Sequence, residues 1–409
     1  MTVNGERLLR EIDELAAISS HAAPAVTRVL FSPEDLQARE WLLALAVESG
    51  FSTRSDAVGN LFIRWEGSDP SLAPAATGSH TDAIPNAGKF DGVVGVLGGL
   101  EAMRALKEDG FRPRRSLELI MFTAEEPTRF GIGCLGSRLM AGTLDSDAAR
   151  ALRDAEENSL EELRASTCTG VIEDVALTED TFHTFVELHI EQGPILEEEG
   201  IDIGVVEKIA APASSRMTFS GTGGHAGAVL MPERKDAFLA AAEVALAVEN
   251  AALGSPSPDT VGTTGVVQVE PGAINSIPCE AMLEIDFRDT DLEARDAALQ
   301  SIQDEALTIC ERRGVEWSWH VINADPPALC DPDLLERIDA AAEAAGYSHR
   351  RLISRAYHDA LFMARLCPTA MIFIPCYRGY SHRPDEFASP EAIAKGVRVL
   401  ADTLKGLCR

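Results

Sequence analysis

The order of predicted strands and helices between residues 214 and 328 constrains the fold most. Six segments follow one another there as strand, helix, strand, strand, helix and strand: RMTFSG, KDAFLAAAEVALAVENAAL, TTGVVQVEP, AMLEIDFRD, LEARDAALQSIQDEALTICERR and VEWSWHVI. This β-α-β-β-α-β order is typical of the ferredoxin-like sandwich. We therefore predict an α+β domain at residues 214–329, inserted into a larger domain.

The flanking regions, residues 1–213 and 330–409, predict a different architecture. Helices begin where a serine N-cap precedes proline, at Ser32-Pro33 and Ser389-Pro390. Between them lie short apolar strands such as LELIMFT at 117–123 and AMIFIPCY at 370–377. Strands alternating with helices indicate an α/β domain with a mostly parallel sheet. A chain of 409 residues is also long for a single core, which favours two domains.

The charge balance excludes some partners. Acidic residues number 65 and basic residues 36, for a formal net charge of −29, so nucleic acid or an anionic membrane would be repelled. The eight cysteines form no CxxC, which argues against a disulfide framework and a thiolate zinc site. No apolar run approaches the ~18–20 residues needed to span a bilayer, and the N-terminus lacks the features of a signal peptide. We therefore expect a cytoplasmic protein.

Five separated segments each offer a metal ligand. They are GSHTD with His80, GKFDG with Asp91, TAEEP with Glu126, ELHIEQG with His189 and GYSHRP with His382. Histidines and carboxylates in this combination suit two first-row divalent cations that share a bridging carboxylate. Such a pair activates water for hydrolysis. The sequence therefore predicts a hydrolytic di-metal centre.

The roles within this centre follow from chemistry. Asp91 is the best bridging group, although its place before a helix also fits an ordinary N-cap. His80, taken alone, could be a loop histidine with a structural hydrogen bond. Glu125 and Glu126 leave a buried strand side by side and repel each other unless protons or cations compensate. We expect Glu126 to bind metal and Glu125 to carry the proton of the attacking water.

Longer motifs around these residues resemble a known family. The runs are GSHTDAIPNAGKFDGVVGVLGGLEA, FTAEEPTRFGIGCLGSR, ELHIEQGPILEEEG and GTGGHAGAV. They are similar to the metal-dependent amidohydrolases that cleave ureido compounds, and the resemblance covers about residues 6–407. This group includes allantoate amidohydrolase, N-carbamoyl-L-amino acid hydrolase and ureidoglycolate amidohydrolase. EEPTRFGIGCLGSRLMAG, PGAINSIP and the SRAYHDALFMA region look closest to the ureidoglycolate branch.

The resemblance implies a catalytic domain with two divalent ions, most often Mn²⁺, with Zn²⁺, Co²⁺ or Ni²⁺ as alternatives. It also implies that the inserted domain is a lid through which two chains form a homodimer. His225 would then reach the active site of the neighbouring subunit and stabilise the oxyanion. Substrate contacts are implied for Gln192, Asn275, Arg288, Tyr357 and His358. For Arg288, an ordinary ion pair at the end of a strand is the alternative.

The reaction implied is hydrolysis of (S)-ureidoglycolate to glyoxylate, ammonia and CO₂, with allantoate or an N-carbamoyl-L-amino acid as alternative substrates. Three rival functions remain open. The chain could be an exopeptidase with the same metal architecture, or a binding dimer without chemistry. It could also use a cysteine nucleophile, because Cys134 and Cys376 lie near the motifs.

Overall fold

A computed structural model describes all 409 residues, which form two compact units. The first unit contains residues 1–207, 329–354 and 358–409, and the second contains residues 208–328 and 355–357. The sequence pattern predicts the boundaries a few residues later, after 213 and 329. The first boundary falls inside the strand Ile203–Ile209, which only Ala210 separates from the strand that begins at Ala211.

The elements are numbered in chain order. The helices are α1 (Gly5–Ala16), α2 (Pro33–Glu48), α3 (Val93–Glu108), α4 (Leu135–Met140), α5 (Ser146–Ala151), α6 (Leu160–Ala165), α7 (Ile195–Glu199), α8 (Ala237–Leu253), α9 (Leu292–Arg313), α10 (Pro332–Ala345), α11 (Asp359–Met363) and α12 (Pro390–Leu407). The strands are β1 (Val26–Arg28), β2 (Ser52–Ser55), β3 (Leu61–Trp65), β4 (Ala75–His80), β5 (Ala83–Ala87), β6 (Leu117–Phe122), β7 (Thr184–Ile190), β8 (Ile203–Ile209), β9 (Ala211–Ser220), β10 (Gly224–His225), β11 (Val261–Glu270), β12 (Ser276–Ile277), β13 (Glu280–Asp289), β14 (Glu316–Ala324), β15 (Ala328–Leu329), β16 (His349–Ser354) and β17 (Thr369–Ile374).

The first unit is built on a nine-stranded sheet whose centre is parallel. Its order is β15-β8-β17-β7-β4-β6-β3-β2, with β16 paired to β8. The central strands β17, β7, β4 and β6 run parallel, and every residue in these four strands is buried. Strands covered on both faces are typical of α/β proteins. The prediction of a mixed α/β fold with a mostly parallel central sheet is confirmed.

Helices α3 and α12 pack against this sheet. Helix α12 packs with α3, and both contact β7. The glycine-rich sequence of α3 allows close approach, because a Cβ added at Gly95 would lie 2.4 Å from the carbonyl oxygen of Leu188. Helices α2 and α12 begin at Pro33 and Pro390, as predicted. No helix combines the length and the apolar character required to cross a bilayer.

The second unit contains a four-stranded antiparallel sheet in the order β11-β13-β9-β14. Helices α8 and α9 pack together and against this sheet. Their apolar residues form one buried cluster with the inward-facing residues of the strands, among them Phe219, Val244, Phe287 and Ile302. Strands and helices follow the β-α-β-β-α-β order expected from the sequence, and the strand order is that of a ferredoxin-like sandwich.

Candidate metal centre

Four adjacent parallel strands of the first unit direct candidate ligands to one edge of the sheet. His80 is the last residue of β4, and His189 is the next to last residue of β7. Glu125 and Glu126 follow the end of β6, and His382 lies in the segment after β17. The carboxyl edge of parallel strands is where α/β proteins gather reactive groups. The strand order therefore brings together segments that lie far apart in the sequence.

Asp91 joins this group from the start of α3, but it is not the N-cap residue. Gly92 is the N-cap, with φ of +65°, and no side chain caps the helix. The N-cap interpretation of Asp91 is therefore wrong. The Asp91 carboxylate instead faces the histidines at the sheet edge. A Cβ at position 92 would lie 2.4 Å from the His80 ring, so the tight turn that presents Asp91 requires glycine.

The two oxygens of Asp91 face different histidines. Oδ1 lies 3.1 Å from Nε2 of His189 and 3.8 Å from Nε2 of His80, whereas Oδ2 lies 3.2 Å from Nε2 of His382. Nε2 of His382 is also 3.2 Å from Oε1 of Glu126. The ligand atoms thus form two groups, His80–Asp91–His189 and Asp91–Glu126–His382, each within 4.8 Å. A carboxylate shared in this way is the arrangement that a bridged pair of ions requires.

Hydrogen bonds orient the two buried histidines. Nδ1 of His80 lies 3.0 Å from the carbonyl oxygen of Asp82, and Nδ1 of His189 lies 2.9 Å from that of Ile190. Because a carbonyl oxygen only accepts, each Nδ1 must carry the proton. Each Nε2 therefore faces Asp91, where it carries a second proton when the ring is charged and can bind a metal ion when the ring is neutral. Imidazole ligands in metalloproteins are commonly held by such hydrogen bonds.

The carboxylates of the site are buried and close to one another. Burial raises the pKa of the Glu125 carboxyl well above its usual range, against the opposing charge of His80. Burial also raises the pKa of Glu126. Hydrogen bonds to Asp91 and Glu126 raise the pKa of His382 to about 11. Carboxylates that stabilise a protonated histidine in the metal-free protein would also stabilise bound cations.

The donor set also suits the expected ions. Imidazole nitrogen and carboxylate oxygen are ligands for Mn²⁺, Zn²⁺, Co²⁺ and Ni²⁺ alike. The ligands would be His80, Asp91, Glu126, His189 and His382. Burial opposes ionisation of Asp91, but hydrogen bonds from His189 and His382 outweigh it and hold the pKa of Asp91 well below its usual value. The residues present therefore fit a pair of divalent ions.

Two supporting carboxylates were not predicted. Asp82 is buried and accepts the backbone N–H groups of Glu125, at 3.3 Å, and Glu126, at 3.1 Å. Glu386 is buried and accepts the backbone N–H groups of Phe90 and Asp91 at 2.8 and 3.1 Å. Each lies within four residues of a candidate ligand in the motifs GSHTD and SHRPDE. That proximity is the signal that could have identified them.

Gln192 and His358 also lie in the first unit, near the ligands. The amide of Gln192 donates to Oδ2 of Asp91 at 3.0 Å. His358 is 2% exposed, and its ring centroid lies 4.5 Å from that of His189. Both residues therefore contact candidate ligands. Whether they also contact substrate stays a prediction.

The other predicted site residues lie in the second unit and form two pairs. His225 is exposed on β10, and Asn275 precedes the paired strand β12. Arg288 forms a salt bridge with Asp286 at 2.6 Å, and its guanidinium carbon lies 5.6 Å from the centre of the Tyr357 ring. The ion pair that was the alternative interpretation of Arg288 is thus present in this structure.

Strained backbone accompanies the candidate ligands. Ala124, Gln192 and His382 have φ of +52°, +55° and +59° respectively. Non-glycine residues rarely adopt this conformation, which costs of order 1–3 kcal/mol and tends to cluster at functional sites. Each of these residues is a ligand or lies within three residues of one. The segments that carry the ligands are therefore held in shape by surrounding contacts.

The cysteine-nucleophile alternative loses support. Burial raises the pKa of the Cys134 thiol well above its usual value, and burial raises the pKa of Cys376 to about 12. The reactive form of cysteine is the thiolate, which such values disfavour at neutral pH. All eight cysteines are free thiols, and six of them are buried. They behave as small apolar residues.

A shared carboxylate, three histidines and a neighbouring buried glutamate at the carboxyl edge of a parallel sheet define a metal-dependent hydrolase. The profile of peptidase family M20/M25/M40 matches residues 76–406, and the chain belongs to this family.

Its similarity to individual proteins covers nearly the whole chain. It is 55% identical to the ureidoglycolate hydrolase of Oryza sativa subsp. japonica, over 98% of this chain and 84% of that protein. It is 52% identical to the ureidoglycolate hydrolase of Arabidopsis thaliana, over 100% of this chain and 87% of that protein. The crystal structure of AtUAH in complex with glyoxylate matches with a TM-score of 0.92 at 51% identity, and covers 100% of this chain and 98% of that chain.

Proposed function

We propose that this chain hydrolyses the ureido C–N bond of (S)-ureidoglycolate, and that Mn²⁺ occupies both ion positions. One observation carries the proposal. The two carboxylate oxygens of Asp91 face two separate groups of candidate ligands, and Glu125 lies beside them. The substrate is supported by the 52–55% identity to two ureidoglycolate hydrolases across almost the full chain. Exopeptidase activity has no comparable support among these relatives.

The chain's residues would act as follows. When bound, two divalent ions polarise the ureido carbonyl and lower the pKa of water. Glu125 takes the proton of the water as its oxygen adds to the ureido carbon. Glu125 then delivers that proton to the departing nitrogen as the C–N bond breaks. The products are carbamate, which decomposes to CO₂ and ammonia, and an amino alcohol that loses ammonia to give glyoxylate.

His225 would donate a hydrogen bond to the oxyanion from a partner subunit. The backbone N–H of Gly227 donates to Nδ1 of His225 at 3.1 Å, so the proton of the neutral ring lies on Nε2. That N–H on an exposed side chain is free to serve as an oxyanion donor. Arg288 would release Asp286 and bind the substrate carboxylate instead. A carboxylate of the substrate accepts the same bidentate pair of hydrogen bonds that Asp286 accepts here. Asn275, Tyr357, Gln192 and His358 would complete the substrate contacts.

The second unit presents an apolar helix face and an open sheet edge, and both suit a dimer interface. Leu239, Leu246 and Leu253 are exposed at seven-residue intervals along α8. Strand β11 is an edge strand of ten residues, and α8 packs against it. Long open edges and apolar stripes are liabilities in a monomer, and a two-fold partner would cover both. Leu246→Glu should therefore produce monomers by light scattering, with Glu249→Gln, on the same helix, as the control.

The activity is tested by removing and restoring the metal. Protein treated with chelator should release no ammonia from (S)-ureidoglycolate, and the addition of Mn²⁺ should restore release of ammonia and glyoxylate. Zn²⁺, Co²⁺ and Ni²⁺, tested in parallel, would show which ion supports the highest kcat. If the chelated protein stays fully active and contains no residual metal, the proposal is wrong.

A further inference from the structure

Glu386 is a buried carboxylate outside the predicted ligand set, yet both its oxygens bind segments that carry ligands. It is 5% exposed. Oε1 accepts the backbone N–H groups of Phe90 and Asp91 at 2.8 and 3.1 Å, and Oε2 lies 3.0 Å from the hydroxyl of Ser381. Ser381 directly precedes His382. One side chain therefore connects the backbone of the bridging carboxylate with the segment of the exposed histidine.

Ser381 extends this connection to the carboxylate itself. Its hydroxyl lies 2.9 Å from Oδ2 of Asp91 and accepts a hydrogen bond from the Gln192 amide at 3.1 Å. Oδ2 is also the oxygen that faces His382. Glu386 and Ser381, here called the clasp, therefore contact Asp91 on both its main chain and its side chain.

The two segments joined by the clasp need such support. His382 has φ of +59°, and its side chain is 47% exposed, so little packing holds it in place. The segment before Asp91 lies directly against Glu386, because a Cβ added at Gly88 would be 2.4 Å from Cβ and 2.5 Å from Oε1 of Glu386. A buried carboxylate that contacts both segments through its two oxygens is well suited to hold the two ligands in a fixed relative position.

We propose that Glu386 is a positioning residue that fixes Asp91 and His382 relative to each other, and thereby sets the affinity of the ion held by Asp91, Glu126 and His382. This inference rests on the di-metal centre of the proposed function. It does not rest on the identity of the substrate. The role requires an acceptor for two backbone N–H groups, which glutamine can also supply.

The test compares Glu386→Ala and Glu386→Gln with the wild-type chain by titration of metal-free protein with Mn²⁺. In the alanine variant, the dissociation constant of one of the two ions should rise by about 10- to 100-fold, as is typical when a residue behind a ligand is removed. The electron paramagnetic resonance spectrum should change from that of coupled ions to that of an isolated ion. The glutamine variant should recover most of the affinity.

The control is Glu391→Ala, because Glu391 is exposed and pairs with Lys395 on the surface. It should bind both ions as the wild type does. Melting of the metal-free proteins separates a positioning role from a general loss of stability, because a positioning residue alters metal affinity more than the metal-free Tm. If Glu386→Ala binds both ions with dissociation constants within about threefold of wild type, the inference is overturned.

Two further outcomes are decisive. If Glu386→Ala does not fold, Ser381→Ala takes its place, because it removes only the hydroxyl of the clasp. Ser381→Ala should weaken the binding of one ion in the same way. Unchanged binding of both ions would refute the positioning role of the clasp. Wild-type protein that binds two ions but does not hydrolyse ureidoglycolate would refute the proposed substrate and leave the inference intact, since the readout is metal binding.

Discussion

Asp91 and His382 meet at 3.2 Å, between carboxylate Oδ2 and imidazole Nε2, although almost 300 residues separate them in the sequence. The other oxygen of the same carboxylate faces His189 and His80. Both ion positions of the candidate centre therefore depend on the same aspartate. The inserted second unit lies between the two residues in the sequence, so this contact forms only when both parts of the first unit fold together.

The first prediction concerns this shared ligand. Asp91→Asn should lose both ions, because a neutral amide neither bridges two cations nor balances their charge. Glu126→Gln, a matched change at a residue of one ligand group only, should retain one ion. Plasma emission spectrometry after dialysis against Mn²⁺ measures the ratio of metal to protein. Two ions bound to Asp91→Asn would show that the carboxylate is not the bridge.

The second prediction concerns the proton carrier. Glu125→Gln should retain two Mn²⁺ ions but lower kcat by about 10²- to 10⁴-fold, which is the usual contribution of general acid–base catalysis. KM should change much less than kcat. Cys134→Ala, which removes a thiol 3.7 Å from Oε1 of Glu125, serves as a matched control and should keep most of the activity. Wild-type turnover by Glu125→Gln would show that Glu125 does not carry the proton.

The third prediction concerns pH. In metal-free protein, hydrogen bonds to Asp91 and Glu126 raise the pKa of His382 to about 11, and burial raises the pKa of Glu386 to about 7. Groups with raised pKa values hold extra protons in the folded state, so their contribution to stability is present at low pH and lost as the pH rises. The opposite shift of Asp91 matters only below its usual pKa of about 4.

The Tm of the metal-free chain should therefore fall between pH 6 and pH 9. Mn²⁺ replaces these protons, so the increase in Tm on adding Mn²⁺ should be larger at pH 9 than at pH 6. His382→Gln should flatten the decline, whereas His320→Gln, at an exposed position on β14, should not. A metal-free Tm that rises from pH 6 to pH 9 would contradict the charge arrangement described above.

The fourth prediction concerns His225 and the partner subunit. His225→Ala and Glu125→Gln chains should each be nearly inactive alone. Mixed and allowed to exchange, they should form heterodimers in which one of the two sites has both groups. Random exchange would restore about one quarter of the wild-type activity. If mass spectrometry shows heterodimers and activity does not return, His225 does not act across the dimer.

The sequence predicted the fold well where the pattern was strong. Residues rich in apolar and β-branched side chains at 117–123 and 370–377 became β6 and β17, and the serine-proline pairs at 32 and 389 began helices. The candidate ligands stay predictions, and they could be proposed because each occurs in a motif with a clear chemical role. The boundary after residue 207 differs from the predicted one after residue 213, because it falls inside β8, where no turn signal marks it.

Other features depended on tertiary contacts that no local pattern encodes. Asp91 precedes a helix and has a side chain suited to capping, but the histidines and Ser381 engage its carboxylate, and Gly92 takes the N-cap position. Glu386 lies four residues after His382, but that position does not reveal its contacts with Phe90 and Asp91, which lie almost 300 residues away. Residues 355–357 belong to the second unit although both neighbours belong to the first, and composition gives no sign of it.

The most direct test of the account compares three substrates with one enzyme preparation. Chain loaded with Mn²⁺ is assayed with (S)-ureidoglycolate, allantoate and an N-carbamoyl-L-amino acid under identical conditions, and kcat/KM is determined from ammonia release. A ureidoglycolate hydrolase should show the highest kcat/KM for (S)-ureidoglycolate, with glyoxylate formed in step with ammonia. A higher kcat/KM for either of the other two substrates would contradict the proposed function.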